Sequence, residues 1–246
     1  MTNSPTRSQR LDYGRHEDQH ATLSFTAADA AKGTAVLVHG GYWRERIDAS
    51  VMSPMVQNLL DEGWNTANVE YRRGPAHAWP TPARDVNAAV QLIRSTVRKH
   101  GSGPLILIGH SVGGQLALLN ADLSDAVVGL APVTDVVRIH DENLGESAAA
   151  EYFGMSPGQA PEIYRDASAV RHPAPNMPVL LVHGENDDRV PISHSQAYVQ
   201  ALDPEPRIDT LFRPALDHFE MIDPAHHHWT AILNWMDTVS ARAHAQ

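Results

Sequence analysis

The sequence predicts an α/β domain in which a mostly parallel central sheet carries helices on both faces. Apolar runs of strand length alternate along the chain with segments in which apolar residues recur at helical spacing. Such alternation is typical of parallel sheets, because each crossover between parallel strands needs a helix-length connection. With 246 residues, the chain can bury a substantial core as one domain. We therefore assign residues 1–246 to a single domain.

The elements follow from local signals. Residues 1–20 are polar, and we expect them to be loosely held. Proline in the first turn favours a helix from Thr81, and Ser193-x-x-Gln196 resembles a capping box. A proline-rich and polar stretch, 132–178, predicts a cap-like excursion with short helical pieces and no long apolar lid. The expected strands are 21–25, 34–38, 66–71, 105–108, 127–130, 179–182 and 208–212, and the last helix is expected over about 226–239.

Composition excludes several classes of protein. The chain has no cysteine, which excludes disulfides and thiol nucleophiles, and its net charge of −10 argues against nucleic acid as a partner. No apolar run reaches the length of a membrane span and the first ten residues lack a signal-peptide core, so we expect a cytoplasmic protein with no membrane partner. The three adjacent histidines 226–228 point in different directions on a helix, so we expect no metal site. The oligomeric state stays open, with a homodimer as one option.

The segment from Gly109 to Gly113 reads Gly-His-Ser-Val-Gly between a predicted strand and a predicted helix. In such a strand–turn–helix unit the serine hydroxyl is held out at the carboxyl edge of a sheet. Glycine at both flanking positions permits a turn in which side chains would clash. Ser111 is therefore a candidate nucleophile.

A serine hydroxyl needs a base to take its proton, and a histidine base needs a carboxylate to hold its tautomer. The strand 179–182 runs into a loop with Asp187 and Asp188, and the last strand is followed by His218. Ligand sites of parallel sheets lie beyond the carboxyl ends of the strands. The sequence therefore offers serine, acid and histidine in that chain order, with Asp135 after an earlier strand as another acid.

Four motifs stand out at the ends of the predicted strands: His39-Gly40-Gly41-Tyr42-Trp43, the Gly109 to Gly113 turn, Gly184-x-x-Asp187-x-x-Val190-Pro191 and Asp217-His218-Phe219. Together they resemble the α/β-hydrolase superfamily, and the resemblance covers about residues 34–240. Within that superfamily, the His-Gly-Gly-Tyr-Trp loop is similar to that of kynurenine formamidases (arylformamidases) and their bacterial esterase relatives.

The resemblance implies an α/β-hydrolase fold with Ser111 as nucleophile, Asp187 as acid and His218 as base; Asp188 and Asp135 are the rival acids. The N–H of Val112, at the start of a helix, is a candidate donor to a tetrahedral oxyanion. By resemblance, Gly41 and Tyr42 supply the other donors of this oxyanion hole. We expect His39 to anchor this loop by hydrogen bonding.

These residues predict a serine hydrolase that cleaves a small aryl-formamide or short-acyl ester through an acyl-enzyme, without a cofactor. Tyr42, Trp43 and Phe219 are the candidate substrate contacts, because aromatic rings there could stack on an aryl group. A general carboxylesterase and a small-peptide or amide hydrolase remain alternatives. A catalytically inactive binding protein on the same fold is disfavoured because serine, acid and histidine are all present.

Overall fold

The computed structural model describes residues 7–99, 103–172, 176–202 and 208–245. Its centre is an eight-stranded sheet with the strand order β1-β2-β4-β3-β5-β6-β7-β8. The strands β3 to β8 run parallel, while β1 and β2 add an antiparallel edge. The strands are β1 Arg7–Asp12, β2 His20–Phe25, β3 Thr34–Val38, β4 Asn65–Val69, β5 Leu105–His110, β6 Ala126–Leu130, β7 Val179–Gly184 and β8 Ile208–Arg213.

Helices cover both faces of the sheet. Side chains alternate along each strand, so Val36 and Val38 of β3 enter one core cluster while Ala35 and Leu37 enter the other. Helices α1 and α8 pack in the cluster of Leu37, and α2, α3 and α7 pack in the cluster of Val36. The helices are α1 Ser53–Asp61, α2 Thr81–Val97, α3 Val112–Leu119, α4 Val136–Asp141, α5 Leu144–Phe153, α6 Pro161–Ala167, α7 Ser193–Leu202 and α8 His228–His244. The predicted mostly parallel sheet with two helical layers is confirmed.

The amino-terminal segment differs from the expectation for residues 1–20. Residues 1–6 lie outside the described part of the chain, but Arg7–Asp12 forms β1 and pairs with β2 along its whole length. The hydroxyl of Tyr13 donates to the carbonyl oxygen of Glu70 at 2.5 Å. The polar sequence did not predict this strand because it lies at the edge of the sheet. Side chains of an edge strand are commonly exposed, and the strand is held by backbone pairing.

The stretch 132–178 carries α4, α5 and α6 in its described part. Helix α5 begins unusually, because Gly145, Glu146 and Ser147 have φ values of 60°, 57° and 64° and so form a left-handed turn. Glycine tolerates this conformation, whereas Glu146 and Ser147 adopt it at a cost. This turn lies beside the candidate site described below.

In the described part of the chain, no helix combines the length and the apolar character that crossing a membrane would require.

Candidate active site

The candidate residues lie after four strands of the parallel part of the sheet. The loop with Gly40 and Gly41 follows β3, Ser111 follows β5, Asp187 follows β7 and His218 follows β8. Parallel neighbours end at the same edge of a sheet, so these four loops meet although they are far apart in sequence.

Ser111 occupies a strained turn between β5 and α3, with φ of 57° and ψ of −119°. A side chain at Gly109 would overlap the carbonyl oxygen of Gly113, and one at Gly113 would overlap the carbonyl oxygen of Val38. A non-glycine residue in this backbone region costs on the order of 1–3 kcal/mol and persists only where its surroundings enforce it. The surroundings here are two glycine contacts and a hydrogen bond from Ser111 N–H to the Leu130 carbonyl at 2.9 Å.

Asp187 and His218 form the central contact of the site. His218 Nδ1–H donates to Asp187 Oδ2 at 2.7 Å, and both residues are buried. The other oxygen, Asp187 Oδ1, accepts the backbone N–H groups of Arg189 and Val190 at 2.9 and 2.8 Å. The second ring nitrogen, His218 Nε2, hydrogen-bonds to none of the described residues, while His218 and Ser111 line the same cavity. The geometry leaves Nε2 available to a hydroxyl or a bound substrate.

His183 is a further contact of Asp187, and the sequence analysis missed it. Its Nε2–H donates to the Val190 carbonyl at 2.7 Å, so its Nδ1 accepts the hydroxyl of Ser195 at 2.8 Å. The same Nε2 lies 3.4 Å from Asp187 Oδ2. The signal was present in the sequence, since a histidine at the end of a fully apolar strand needs polar partners once it is buried.

The surroundings keep Asp187 charged. Burial by itself raises the pKa of this carboxyl, but hydrogen bonds from His183 and His218 outweigh burial and hold the pKa well below its usual value. A charged Asp187 stabilises the Nδ1–H tautomer of His218 and any positive charge that develops on the ring.

His110, next to Ser111, supports His218 from another side. Its Nε2–H donates to the backbone carbonyl of His218 at 2.9 Å, and the two rings are 4.6 Å apart. Burial lowers the pKa of His110 to about 3, and the neighbouring His218 adds to the effect. His110 is therefore a neutral donor that holds the loop after β8 against β5, a role that sequence analysis did not foresee.

The two rival acids have other surroundings. The Asp188 side chain is 82% exposed and its nearest basic partner is Arg189, at 3.5 Å. Asp135 caps α4, where its Oδ1 accepts the backbone N–H groups of Val137 and Arg138 at 3.0 and 3.4 Å. Among the three aspartates, the contact with the His218 ring is made by Asp187.

The loop after β3 is anchored below the site. His39 Nε2 lies 3.1 Å from Glu70 Oε1, and the hydroxyl of Tyr71 donates to the His39 carbonyl at 2.8 Å. Burial raises the pKa of Glu70, but the hydrogen bond with His39 and further contacts reverse this shift and hold the pKa below its usual value. The anchoring role expected of His39 agrees with these contacts.

This loop approaches Ser111 closely. A side chain at Gly40 would come within 2.8 Å of the Ser111 Cβ, so only glycine allows the two loops to touch. Gly41 and Tyr42 continue in the left-handed region, with φ of 121° and 52°. Val112 is the first residue of α3, so its N–H has no acceptor within the helix. The candidate oxyanion donors Gly41, Tyr42 and Val112 thus lie on the two segments that flank Ser111.

A cavity of about 330 Å³ opens above Ser111. Its apolar part is formed by Ile47, Val51 and Ile222, and α5 contributes Gly145 and Glu146 of its left-handed turn. Three guanidinium groups also line it, from Arg44, Arg46 and Arg189. A second, more polar cavity of about 320 Å³ shares Tyr42, Arg44, Arg46 and Glu146 with the first.

The three aromatic residues expected at the substrate have different positions. Tyr42 and Phe219 line the cavity above Ser111, and Phe219 is 62% exposed. The hydroxyl of Tyr42 donates to the Arg189 carbonyl at 2.6 Å, and burial raises the pKa of Tyr42 to about 12. Trp43 corrects the expectation, because it does not line this cavity and instead borders the second one.

Trp43 is a core residue. Its side chain is 1% exposed, its ring stacks on Tyr152 at 5.4 Å, and its Nε1–H donates to Gln115 Oε1 at 3.1 Å. The backbone at Trp43 is left-handed, with φ of 57°, and its indole is buried in the core rather than on the cavity above Ser111. Of the two aromatic neighbours, Tyr42 borders both cavities, whereas Trp43 borders only the second one.

Comparisons with known proteins agree with this architecture. A family model described as BD-FAE matches residues 25–202. Esterase LipC of Mycobacterium tuberculosis is 28% identical over 219 residues, which cover 77% of this chain and 54% of that protein. A kynurenine formamidase of Meyerozyma guilliermondii is 28% identical over 124 residues, covering 50% of this chain and 46% of that protein. The chain thus spans about half the length of the curated relatives it matches.

Among solved structures, esterase B from Lactobacillus rhamnosis superposes with a TM-score of 0.82 at 20% identity. The match covers 96% of this chain and 87% of that one. At this identity the likeness concerns the fold, and it confirms the α/β-hydrolase architecture that the motifs predicted.

Proposed function

We propose that this chain, which belongs to the BD-FAE family, is a serine hydrolase that cleaves small carboxylic esters through an acyl-enzyme. The observation that supports this proposal best is the 2.7 Å hydrogen bond between Asp187 and His218, together with the shared cavity that His218 and the strained Ser111 line. Strain is retained where a backbone conformation is needed for function, and a carboxylate–histidine pair beside a serine is the arrangement that activates a hydroxyl.

In the proposed reaction, Ser111 Oγ attacks the carbonyl carbon of the ester while His218 Nε2 takes the hydroxyl proton. Asp187 holds the Nδ1–H of the ring and stabilises the imidazolium that forms. The oxyanion is met by backbone N–H groups of Val112 and of the Gly41–Tyr42 loop. His218 then gives the proton to the leaving alcohol, and the same steps with water in place of the serine release the acid.

The side chains next to the oxyanion loop favour a short acyl group. Ile47 packs close to Gly41 and lines the cavity with Val51, and each methylene forced against such side chains costs on the order of 1 kcal/mol or more. We expect kcat/KM on p-nitrophenyl esters to fall steeply from acetate to hexanoate. Because Trp43 lies in the core, Ile47→Ala rather than Trp43→Ala is the variant expected to accept longer acyl chains.

A second candidate reaction is the hydrolysis of an aryl formamide. The sequence similarity to kynurenine formamidases supports it, together with Tyr42 and Phe219 at the cavity, where an aryl ring could stack. The formyl group is the smallest acyl group, so it also fits a short acyl site. Formanilide and p-nitrophenyl acetate are suitable substrates for comparing the two reactions.

The experiment has two parts. A fluorophosphonate probe should label the wild-type protein at Ser111 and leave Ser111→Ala unlabelled. The kcat/KM values for formanilide and for the p-nitrophenyl ester series then rank the reactions. Absence of labelling and of turnover on every substrate would contradict a serine hydrolase, whereas preference for hexanoate over acetate would contradict only the short acyl site.

A further inference from the structure

The cavity above Ser111 is rich in positive charge, although the chain as a whole carries a net charge of −10. Three arginines line it, whereas Glu146 is the carboxylate among its described lining residues. His110 does not change this balance, since burial lowers its pKa to about 3. Cationic side chains gathered in a cleft of an acidic protein focus a positive potential there, which attracts anionic ligands.

Arg44 is already engaged in structure. Its Nη2 donates to the Gly145 carbonyl and to Glu151 Oε2, both at 2.8 Å, and its Nε donates to the same carboxylate at 3.0 Å. These contacts join the loop after β3 to α5. Arg44 therefore holds the left-handed turn in place and has little capacity left for a ligand.

Arg46 and Arg189 are differently placed. Arg46 is exposed and forms no ion pair or hydrogen bond through its side chain with any residue in the described part of the chain. The guanidinium of Arg189 lies 5.8 Å from the centre of the Phe219 ring, and its nearest carboxylate is the exposed Asp188 at 3.5 Å. Both guanidinium groups can thus turn their N–H donors toward a ligand in the cavity.

The rest of the lining determines which kind of anion fits. Ile47, Val51 and Ile222 offer an apolar surface, so the body of the ligand is apolar and its charge is local. Arginine binds a planar carboxylate through two parallel hydrogen bonds. Glu146 repels a dianion such as a phosphate monoester more strongly than it repels a singly charged carboxylate.

We propose that the physiological substrate is an ester or amide that bears a carboxylate, which Arg46 and Arg189 bind while the scissile carbonyl lies at Ser111. This proposal rests on the proposed serine hydrolase function and adds the charge of the substrate. The carboxylate can belong to the acyl group or to the leaving group, and the experiment distinguishes the two.

Two matched pairs of substrates test the proposal. For a charge on the leaving group, 4-acetoxybenzoate is compared with the neutral 4-acetoxybenzamide. For a charge on the acyl group, methyl hydrogen succinate is compared with the neutral methyl succinamate. We expect kcat/KM to be at least about tenfold higher for the anionic member of one pair, as charge-assisted hydrogen bonds imply. Added salt should reduce this preference, because the arginines are partly exposed.

Variants assign the preference to the two arginines. In a double variant with Arg46→Gln and Arg189→Gln, the ratio of kcat/KM between anionic and neutral substrates should fall to about one. Arg84→Gln is the matched control, because Arg84 is exposed on α2 away from the cavity, and it should keep the wild-type ratio.

Equal kcat/KM values within both pairs in the wild-type protein would overturn the proposal, as would a preference that persists in the double variant. Either result with good turnover of the neutral esters leaves the serine hydrolase function intact. Failure of the function itself would be seen differently, as absence of turnover on all four substrates and absence of fluorophosphonate labelling.

Discussion

The two walls of the cavity above Ser111 are built in opposite ways. One wall carries Ser111 and His218, with Asp187 behind His218; the three side chains are buried, follow strand ends, and include the 2.7 Å hydrogen bond between Asp187 and His218. The opposite wall consists of long side chains such as Arg46 and of the left-handed turn at the start of α5. The comparison teaches that the sheet fixes the geometry of the residues proposed for catalysis, while loop side chains determine which substrates bind beside them.

The largest expected effect concerns the buried wall. Ser111→Ala should lower kcat by about 10⁶-fold, because loss of a triad nucleophile removes the whole covalent route. The melting temperature should stay close to that of the wild type, since alanine meets the same backbone restriction as serine. Steady-state kinetics and thermal unfolding check this, with Ser95→Ala on the exposed side of α2 as the control. A variant that retains a tenth of the wild-type turnover would show that Ser111 is not the nucleophile.

The next effect concerns the choice among the aspartates. Asp187→Asn should lower kcat by about 10⁴-fold, because an amide at this position favours the wrong tautomer of His218. Asp188→Asn removes an exposed carboxylate, and Asp135→Asn weakens the cap of α4, so both should retain kcat within a few-fold of the wild type. A greater loss in Asp135→Asn would move the acid to the loop after β6.

His183 tests whether Asp187 and His218 depend on the residues packed behind them. His183→Leu removes the contacts with Ser195, Val190 and Asp187, so we expect kcat to fall about 10²-fold with little change in KM, as a small displacement of the acid implies. The control is His194→Leu, another buried histidine on α7 that contacts Glu142 instead. Equal losses of kcat in the two variants would indicate general destabilisation. Rescue by His183→Gln would support hydrogen bonding as the cause.

The smallest effect is expected on the opposite wall. Arg44→Gln removes the ion pair with Glu151 and weakens the hold on Gly145, and a partly exposed ion pair contributes about 0.2–1 kcal/mol. We therefore expect KM to rise by up to about fivefold with kcat nearly unchanged. Progress curves at several substrate concentrations separate the two constants. A large fall in kcat would contradict the view that the opposite wall acts on substrate binding and not on the chemical step.

Much of the buried wall could be predicted from the sequence, because its signals are local. Glycines around Ser111 and apolar runs before each loop predict the position of the turn at Ser111 and of the strand ends to within a few residues. The same reasoning missed His110 and His183, whose roles arise from contacts between loops that are distant in sequence. It also misplaced Trp43, since the positive φ at Tyr42 and Trp43, which accompanies the burial of the indole in the core, has no sequence signature in residues of this type.

The opposite wall could not be predicted in the same way. The left-handed turn at Gly145–Ser147 is held by Arg44, about 100 positions earlier in the chain, so no local sequence pattern predicts this turn. The edge strand Arg7–Asp12 was hidden for a related reason, because its pairing with β2 involves the backbone rather than a periodic side-chain pattern. Features that depend on contacts between residues distant in sequence are thus the ones that could not be predicted from the sequence.

A side chain at Gly113 would overlap the carbonyl oxygens of Val38 and His39, so the turn at Ser111 and the loop after β3 pack main chain against main chain. Because the turn at Ser111 and the loop after β3 contact each other through their main chains, neither can reach its final conformation while the other is unfolded. Ser111 and the proposed oxyanion donors therefore belong to one cooperative unit. Amide hydrogen exchange should report a single opening free energy for Ser111, whose N–H is bonded to the Leu130 carbonyl, and for Val38 in β3. We therefore expect the turn that holds Ser111 to unfold only together with the central sheet, so that the cavity keeps its geometry as long as the sheet is intact.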